Sequence, residues 1–272
     1  MTTIGYTLNT PFTLTDDLVP KSRADLDRVP SKDNELYYEQ RTGAGLIITE
    51  ATAISEQGYN WYRAAGLYAT EHVGSWKRVI DRVHAKSGTI SLQMWCMDRQ
   101  SHPSFNAKRG IVSVSTIPVV TCHSRDVDYV RVSYETPHAL KTDEAAGVID
   151  DYRKCVQLAK DAGFDGIEIH TANGNLIDVF LQSASNTCTD KYGGSVENCA
   201  RFLLEVVGAV KTVWAANRIG VRLSLNRSFA NMGSEDNVEQ FLYAMEKLSH
   251  HSLVYLAMLD SEDFGSTTSA ES

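Results

Sequence analysis

Several shortages in this chain narrow what it can be. It has only 6 prolines in 272 residues, and no run of about eighteen apolar residues that could form a spanning helix. The opening MTTIGY lacks the cationic stretch and apolar run of a secretory signal. The 5 cysteines (Cys96, Cys122, Cys155, Cys188 and Cys199) are odd in number and scattered, with no C-x-x-C pair. A disulfide framework or zinc site is therefore not expected; free thiols in a reducing, cytoplasmic setting are. Positive charge is short too: 26 Lys+Arg against 34 Asp+Glu give a net charge of −8, without a basic block. Nucleic acid and membranes are accordingly not expected partners. No G-x-G-x-x-G or G-x-x-x-x-G-K-[ST] follows any strand-like segment, so the usual Rossmann and P-loop signatures are missing.

The chain does have an ordinary globular composition, 43% hydrophobic and 22% charged, which suits one large α/β domain over residues 1–272. Short apolar runs read as strands at 45–49 (GLIIT), 89–95 (TISLQMW), 165–169 (DGIEI), 219–223 (IGVRL) and 253–258, with a weaker sixth at 14–20. Segments 71–86, 143–162, 196–213 and 236–249 have helical spacing; in the first, Val73, Trp76, Val79, Ile80 and Val83 form one apolar stripe. Strands separated by helices argue for parallel βα units. The long strand-poor stretch 101–141 reads as a capping hairpin region over a site. The expected fold is an incomplete TIM-type β/α barrel with about six of the eight units of a complete one. Residues 259–272 read as a polar, disordered tail.

In DGIEIH, period-two alternation puts Glu168 and His170 on one strand face and Ile167 and Ile169 on the other. The same rule gives Gln93 and Trp95 a common face, and Arg222 and Ser224 another. In a barrel the polar sets face inward and converge, with nearby Asn173, at the C-terminal strand ends. Taken singly, each could be a satisfied structural polar group; converging, they form a candidate site.

Two stretches, GFDGIEIHTANGNLID at 163–178 and SNTCTDKYGGSVENCARF at 185–202, resemble the central signature of the old yellow enzyme family, approximately GFDGVEIHGANGYLIDQF followed by NxRTDxYGGSxENRxRF. The segments YYEQRTGAGLIITEAT, VHAKSGTISLQMW and VRLSLNRSFANMGSEDN also resemble family segments, in the right order. The resemblance implies an FMN-dependent enzyme that uses NAD(P)H to reduce α,β-unsaturated carbonyl compounds such as enones. It implies that Ala51, Gln93, His170 and Arg222 hold FMN: Ala51 by smallness, Gln93 through its amide, and Arg222 as a cation beside the reduced ring. It implies that His170 and Asn173 donate hydrogen bonds to the substrate carbonyl oxygen.

Departures from the pattern accompany the resemblance. Asn175 stands where the family has its proton-donating tyrosine, and an amide has no comparably acidic proton. The family's opening strand is replaced by LTDDLVPKSRAD, without its Pro-Leu-Thr around Pro20 and Lys21. Cys96 replaces a family histidine, Cys188 and Cys199 replace arginines, and Leu225 replaces a proline. The last two βα units, which in the family hold the FMN phosphate, are not found before residue 272, so weak flavin retention is expected. An incomplete barrel has open strand edges that a homo-oligomer would cover. The alternative to an ene-reductase is an impaired descendant or gene fragment acting, if at all, as a binding module.

Overall fold

The computed structural model describes residues 24–105, 110–225 and 228–259. The weak strand read at 14–20, the segment around Pro20 and Lys21, and the tail beyond Leu259 lie outside the described residues. Along the chain come α1 (Lys32–Glu39), β1 (Ile47–Ala53), α2 (Thr70–His84) and β2 (Ile90–Trp95). Four two-residue strands follow: β3 (Val112–Ser113), β4 (Ser124–Arg125), β5 (Arg131–Val132) and β6 (His138–Ala139). Then come α3 (Thr142–Ala162), β7 (Gly166–Thr171), α4 (Leu176–Leu181), α5 (Val196–Lys211), β8 (Ile219–Leu223), α6 (Asn237–Ser249) and β9 (Tyr255–Met258).

Local signals account for most of these boundaries. The stripe Trp76, Val79, Ile80 and Val83 of α2 is buried. Helix α3 stops at Gly163, whose φ of 98° is a left-handed value that a glycine adopts without a Cβ penalty. The Ser195 hydroxyl caps α5 by accepting from the Asn198 amide. Two helices escaped the sequence reading. In α1 the buried residues are Asn34, Glu35 and Tyr38, so no apolar stripe exists to be read, although Ser31 and Asn34 cap the helix reciprocally. All six residues of α4, LIDVFL, are buried, and such a run has no helical period.

The five longer strands form one parallel sheet in the order β1-β2-β7-β8-β9, which is their order along the chain. Because parallel crossovers are right-handed, adding every strand on the same side places all the connecting helices on one face. The helices pack accordingly, α1 on α2, α2 on α3, α3 on α5 and α5 on α6. This is the arc of a β/α barrel, not a doubly wound sheet. On the outer face Leu92, Met94, Ile167, Ile169, Val221 and Leu223 are at most 1% exposed and join the main apolar core. Over the strand ends, β4 and β5 make an antiparallel hairpin and β3 pairs with β6, so the capping region expected at 101–141 is present.

The inner face is small and polar, and it is cross-linked between strands. Register places Gln93 beside Glu168, Glu168 beside Gly220, and Gly220 beside Tyr255. Gln93 Nε2 donates to Glu168 Oε1 at 2.6 Å, and the Tyr255 hydroxyl donates to Glu168 Oε2 at 3.0 Å. Glu168 is thus held from both sides. The Tyr255 ring reaches it by lying across Gly220, where a Cβ would stand 2.3 Å from the ring Cζ. Gly220→Ala is therefore expected to cost about 1–3 kcal/mol by overpacking. Most of that cost should vanish in a Tyr255→Ala background, as read from a double-mutant cycle by urea unfolding. Equal costs in both backgrounds would show that the ring is not the obstacle.

Candidate active site

The loop that leaves β7 carries residues with unusual backbone conformations, Asn173 at φ 62° and Gly174 at φ 72°. Asparagine tolerates this region and glycine adopts it freely, which is why the chain can turn sharply at TANGN. At Gly174 space is limiting as well, since a Cβ would lie 2.8 Å from Gln100 Nε2. One buried carboxylate holds the turn. Asp178 Oδ2 accepts from the Gly174 amide at 2.8 Å and from the Ser224 hydroxyl at 3.2 Å, while the Ser224 oxygen accepts from the Asn173 amide at 2.9 Å. Asp178 Oδ1 accepts from Gln182 Nε2 at 2.8 Å. Burial pushes the Asp178 carboxyl up to about 6, against the lowering effect of these hydrogen bonds.

On the inner face Ala51 is paired with Gln93, and His170 with Arg222. The His170 ring is buried and lies nearly parallel to Trp95, at 12° and 6.3 Å between centroids. Burial first, and the Arg222 charge second, push His170 down to about 3, so the imidazole is neutral at ordinary pH. The half-buried Arg222 guanidinium makes no hydrogen bond or ion pair among the described residues. The Asn175 side-chain nitrogen is 3.2 Å from His170 Nε2 and donates to the Ala172 carbonyl at 3.0 Å. Three buried polar atoms here have no partner among the described residues: Trp95 Nε1, His170 Nδ1 and Asn173 Oδ1. Each costs about 1–3 kcal/mol unless a ligand or water satisfies it.

The candidates Ala51, Gln93, His170, Asn173, Asn175 and Arg222 thus all stand on the C-terminal halves of neighbouring parallel strands or on the loop just beyond β7. Two are more committed than their sequence positions suggest. Gln93 has given one N–H to Glu168, and Asn175 is turned to His170 and the Ala172 carbonyl. Sequence reasoning missed the residues that brace the site. Asp178 sits alone among the apolar residues of LIDVFL, a signal that could have been read. Arg99 gave no signal: it is 0% exposed, with Nη2 donating to the Ala230 carbonyl at 3.0 Å and Nη1 to the Ile117 carbonyl at 3.3 Å. It ties the end of β2 to the loop after β8 and to the capping region. Beside it, the Asp98 carboxyl accepts from the Ser113 hydroxyl at 2.9 Å and is pushed up to about 8 by burial. Among the described residues no His/Cys/Asp/Glu cluster could hold a metal, no helix is long and apolar enough to cross a membrane, and the cysteines are free.

The NADH:flavin oxidoreductase / NADH oxidase family matches the chain over residues 21–265. A putative 12-oxophytodienoate reductase 11 of Oryza sativa subsp. japonica is 40% identical over 237 residues, covering 85% of this chain and 64% of that protein. A probable flavin mononucleotide-dependent alkene reductase of Leishmania infantum is 37% identical over 257 residues, covering 92% of this chain and 70% of the relative. Among solved structures, the old yellow enzyme homologue from Zymomonas mobilis superposes with a TM-score of 0.84 at 35% identity, covering 87% of this chain and 66% of that one. The chain therefore spans somewhat less than two thirds of the length of the rice relative and of the Zymomonas structure.

A titration follows from Asp98. Its carboxyl is raised in the folded state to about 8, so between pH 4 and 8 the folded chain keeps a proton that the unfolded chain releases. The stability due to this group is complete below the unfolded value and is lost as pH rises to 8, by up to about 1.4 kcal/mol per pH unit. Asp98→Asn mimics the protonated form and tolerates the φ of 59° at this position. Its stability relative to the parent, from denaturant curves, should improve steadily from pH 4 to 8 and then level off. A difference independent of pH would contradict the shift.

Proposed function

Because the chain belongs to the NADH:flavin oxidoreductase / NADH oxidase family, we propose that it carries an FMN-dependent ene-reductase site. This site uses NAD(P)H to reduce the activated C=C bond of an α,β-unsaturated carbonyl compound. The observation that carries this reading is the pairing across β7 and β8: a buried, neutral His170 with an unpartnered ring nitrogen stands beside Arg222, a cation with no carboxylate partner among the described residues. The relatives, a putative 12-oxophytodienoate reductase and a probable alkene reductase, point to the same class of reaction.

The residues present fit a flavin ring. Arg222 would hold the negative charge of its reduced form, Gln93 retains an amide carbonyl and one N–H for its polar edge, and Ala51 is small enough to admit it. When bound, FMN would accept hydride from NAD(P)H and deliver it to the alkene β-carbon. The chain's own task is to polarise the substrate. His170 and Asn173 donate hydrogen bonds to the carbonyl oxygen, drawing charge toward it and leaving the β-carbon electrophilic. Because His170 is neutral, it acts as a hydrogen-bond donor and not as a charged acid. The α-carbon then needs a proton. Asn175 cannot act as that acid, and its N–H groups are already engaged at His170 and Ala172, so water supplies the proton.

With FMN in excess, the chain should oxidise NADH or NADPH in the presence of cyclohexenone and form cyclohexanone. His170→Ala should lower enone turnover about 10²–10³-fold, the usual cost of losing one oxyanion donor. Asn175→Tyr should raise enone turnover relative to the rate of NAD(P)H oxidation by FMN, since only the alkene step needs the proton. If neither nicotinamide supports enone reduction at saturating FMN, the ene-reductase reading is wrong.

A further inference from the structure

We propose that Asn175 is a positioning residue that locks His170 in the tautomer with its proton on Nδ1, making Nδ1–H the donor that His170 presents to a ligand oxygen. The argument begins at the Ala172 carbonyl, which lies 3.0 Å from the Asn175 side-chain nitrogen. Only the NH₂ end of an amide can face a carbonyl oxygen without repulsion, so this contact settles which way the amide points. The same NH₂ group stands 3.2 Å from His170 Nε2. A primary amide nitrogen donates and does not accept, so Nε2 must offer its lone pair, and a neutral imidazole then carries its single proton on Nδ1. Rotating the ring by a half turn about Cβ–Cγ would put carbon in place of Nε2 and lose the bond.

Two further features support the assignment. The imidazole has no second proton to place at Nε2, because burial and the neighbouring Arg222 both disfavour the charged ring. Nδ1 is buried and has no partner among the described residues, which suits an N–H awaiting an acceptor. The device is also rigid. The Asn175 backbone N–H closes the turn by donating to the Ala172 carbonyl at 3.2 Å, and Asp178 anchors the same loop through the Gly174 backbone N–H at 2.8 Å. A hydroxyl at position 175 could donate or accept and would leave the tautomer open; the amide does not. This inference rests on the proposed function only in naming the ligand atom a carbonyl oxygen. The tautomer belongs to the chain without flavin.

The test is a long-range ¹H–¹⁵N correlation spectrum of the ¹⁵N-labelled, flavin-free protein. Of the 8 histidines, His170 is identified by the signals lost in His170→Gln. A pyrrole-type Nδ1 and a pyridine-type Nε2 are expected for His170, unchanged from pH 8 to pH 5. Asn175→Asp replaces the donor with an acceptor and should invert the pattern or bring a second proton onto the ring. Asn175→Leu should populate both tautomers. A protonated Nε2 in the parent chain, or the same Nδ1–H pattern in both variants, would overturn the proposal. Should neither variant fold, the parent spectrum alone decides. If the pattern is as expected but no enone is reduced with FMN, the tautomer stands and the ene-reductase reading falls.

Discussion

The site hangs on a single buried carboxylate. Asp178 gathers the Gly174 amide, the Ser224 hydroxyl and the Gln182 amide, and through Ser224 it reaches the Asn173 amide. These contacts join the loop after β7 to the end of β8. Gln182 extends the chain of bonds, since its Oε1 accepts from the Gly233 amide at 2.8 Å. With this hub in place two consecutive left-handed residues, Asn173 and Gly174, are held in one conformation. Every other placement at the mouth follows, because His170 lies just before that turn and Asn175 lies at its end. A carboxylate this deep is tolerable only because its oxygens are occupied.

The two faces of the sheet obey different rules. Outward residues such as Ile169 and Val221 are stabilised by burial against helices, at about 1.5–3 kcal/mol each. Inward residues are largely polar and are stable only when bonded to one another. Glu168 is the clearest case, held by Gln93 from one side and Tyr255 from the other. Against that well-satisfied background the exceptions carry meaning. Among the described residues, Trp95 Nε1, His170 Nδ1 and Asn173 Oδ1 lack partners in the same region where Arg222 lacks a counter-ion. Glu168 is paired on both oxygens, whereas these groups, two ring nitrogens and one amide oxygen, are left open to further hydrogen bonds.

Electrostatics and hydrogen bonding agree at His170. Its burial and its cationic neighbour keep the ring neutral, and the Asn175 amide meets Nε2, so charge and proton position are both set by groups within one turn or one strand. Asn175, whose amide has no acidic proton to give, thus constrains the histidine beside it.

How much was legible beforehand depended on the range of the signal. By itself the sequence determined the five parallel strands, the four longer helices and the inward set Gln93, Glu168, His170 and Arg222, because pleat and helical periods are local and repeat every few residues. The family pattern in 163–202 pointed to the candidate site and to the odd residue at 175. The sequence was silent on α1, whose buried face is polar, and on α4, which is buried all round. Only the tertiary structure decided that Tyr255 crosses Gly220 to reach Glu168, that Arg99 clamps the Ala230 carbonyl, and that Asn175 turns toward His170. Two of these contacts join residues 87 and 131 positions apart in the chain. The third depends on which end of an amide meets a backbone carbonyl, and partners of that kind are chosen by packing, not by any period in the chain.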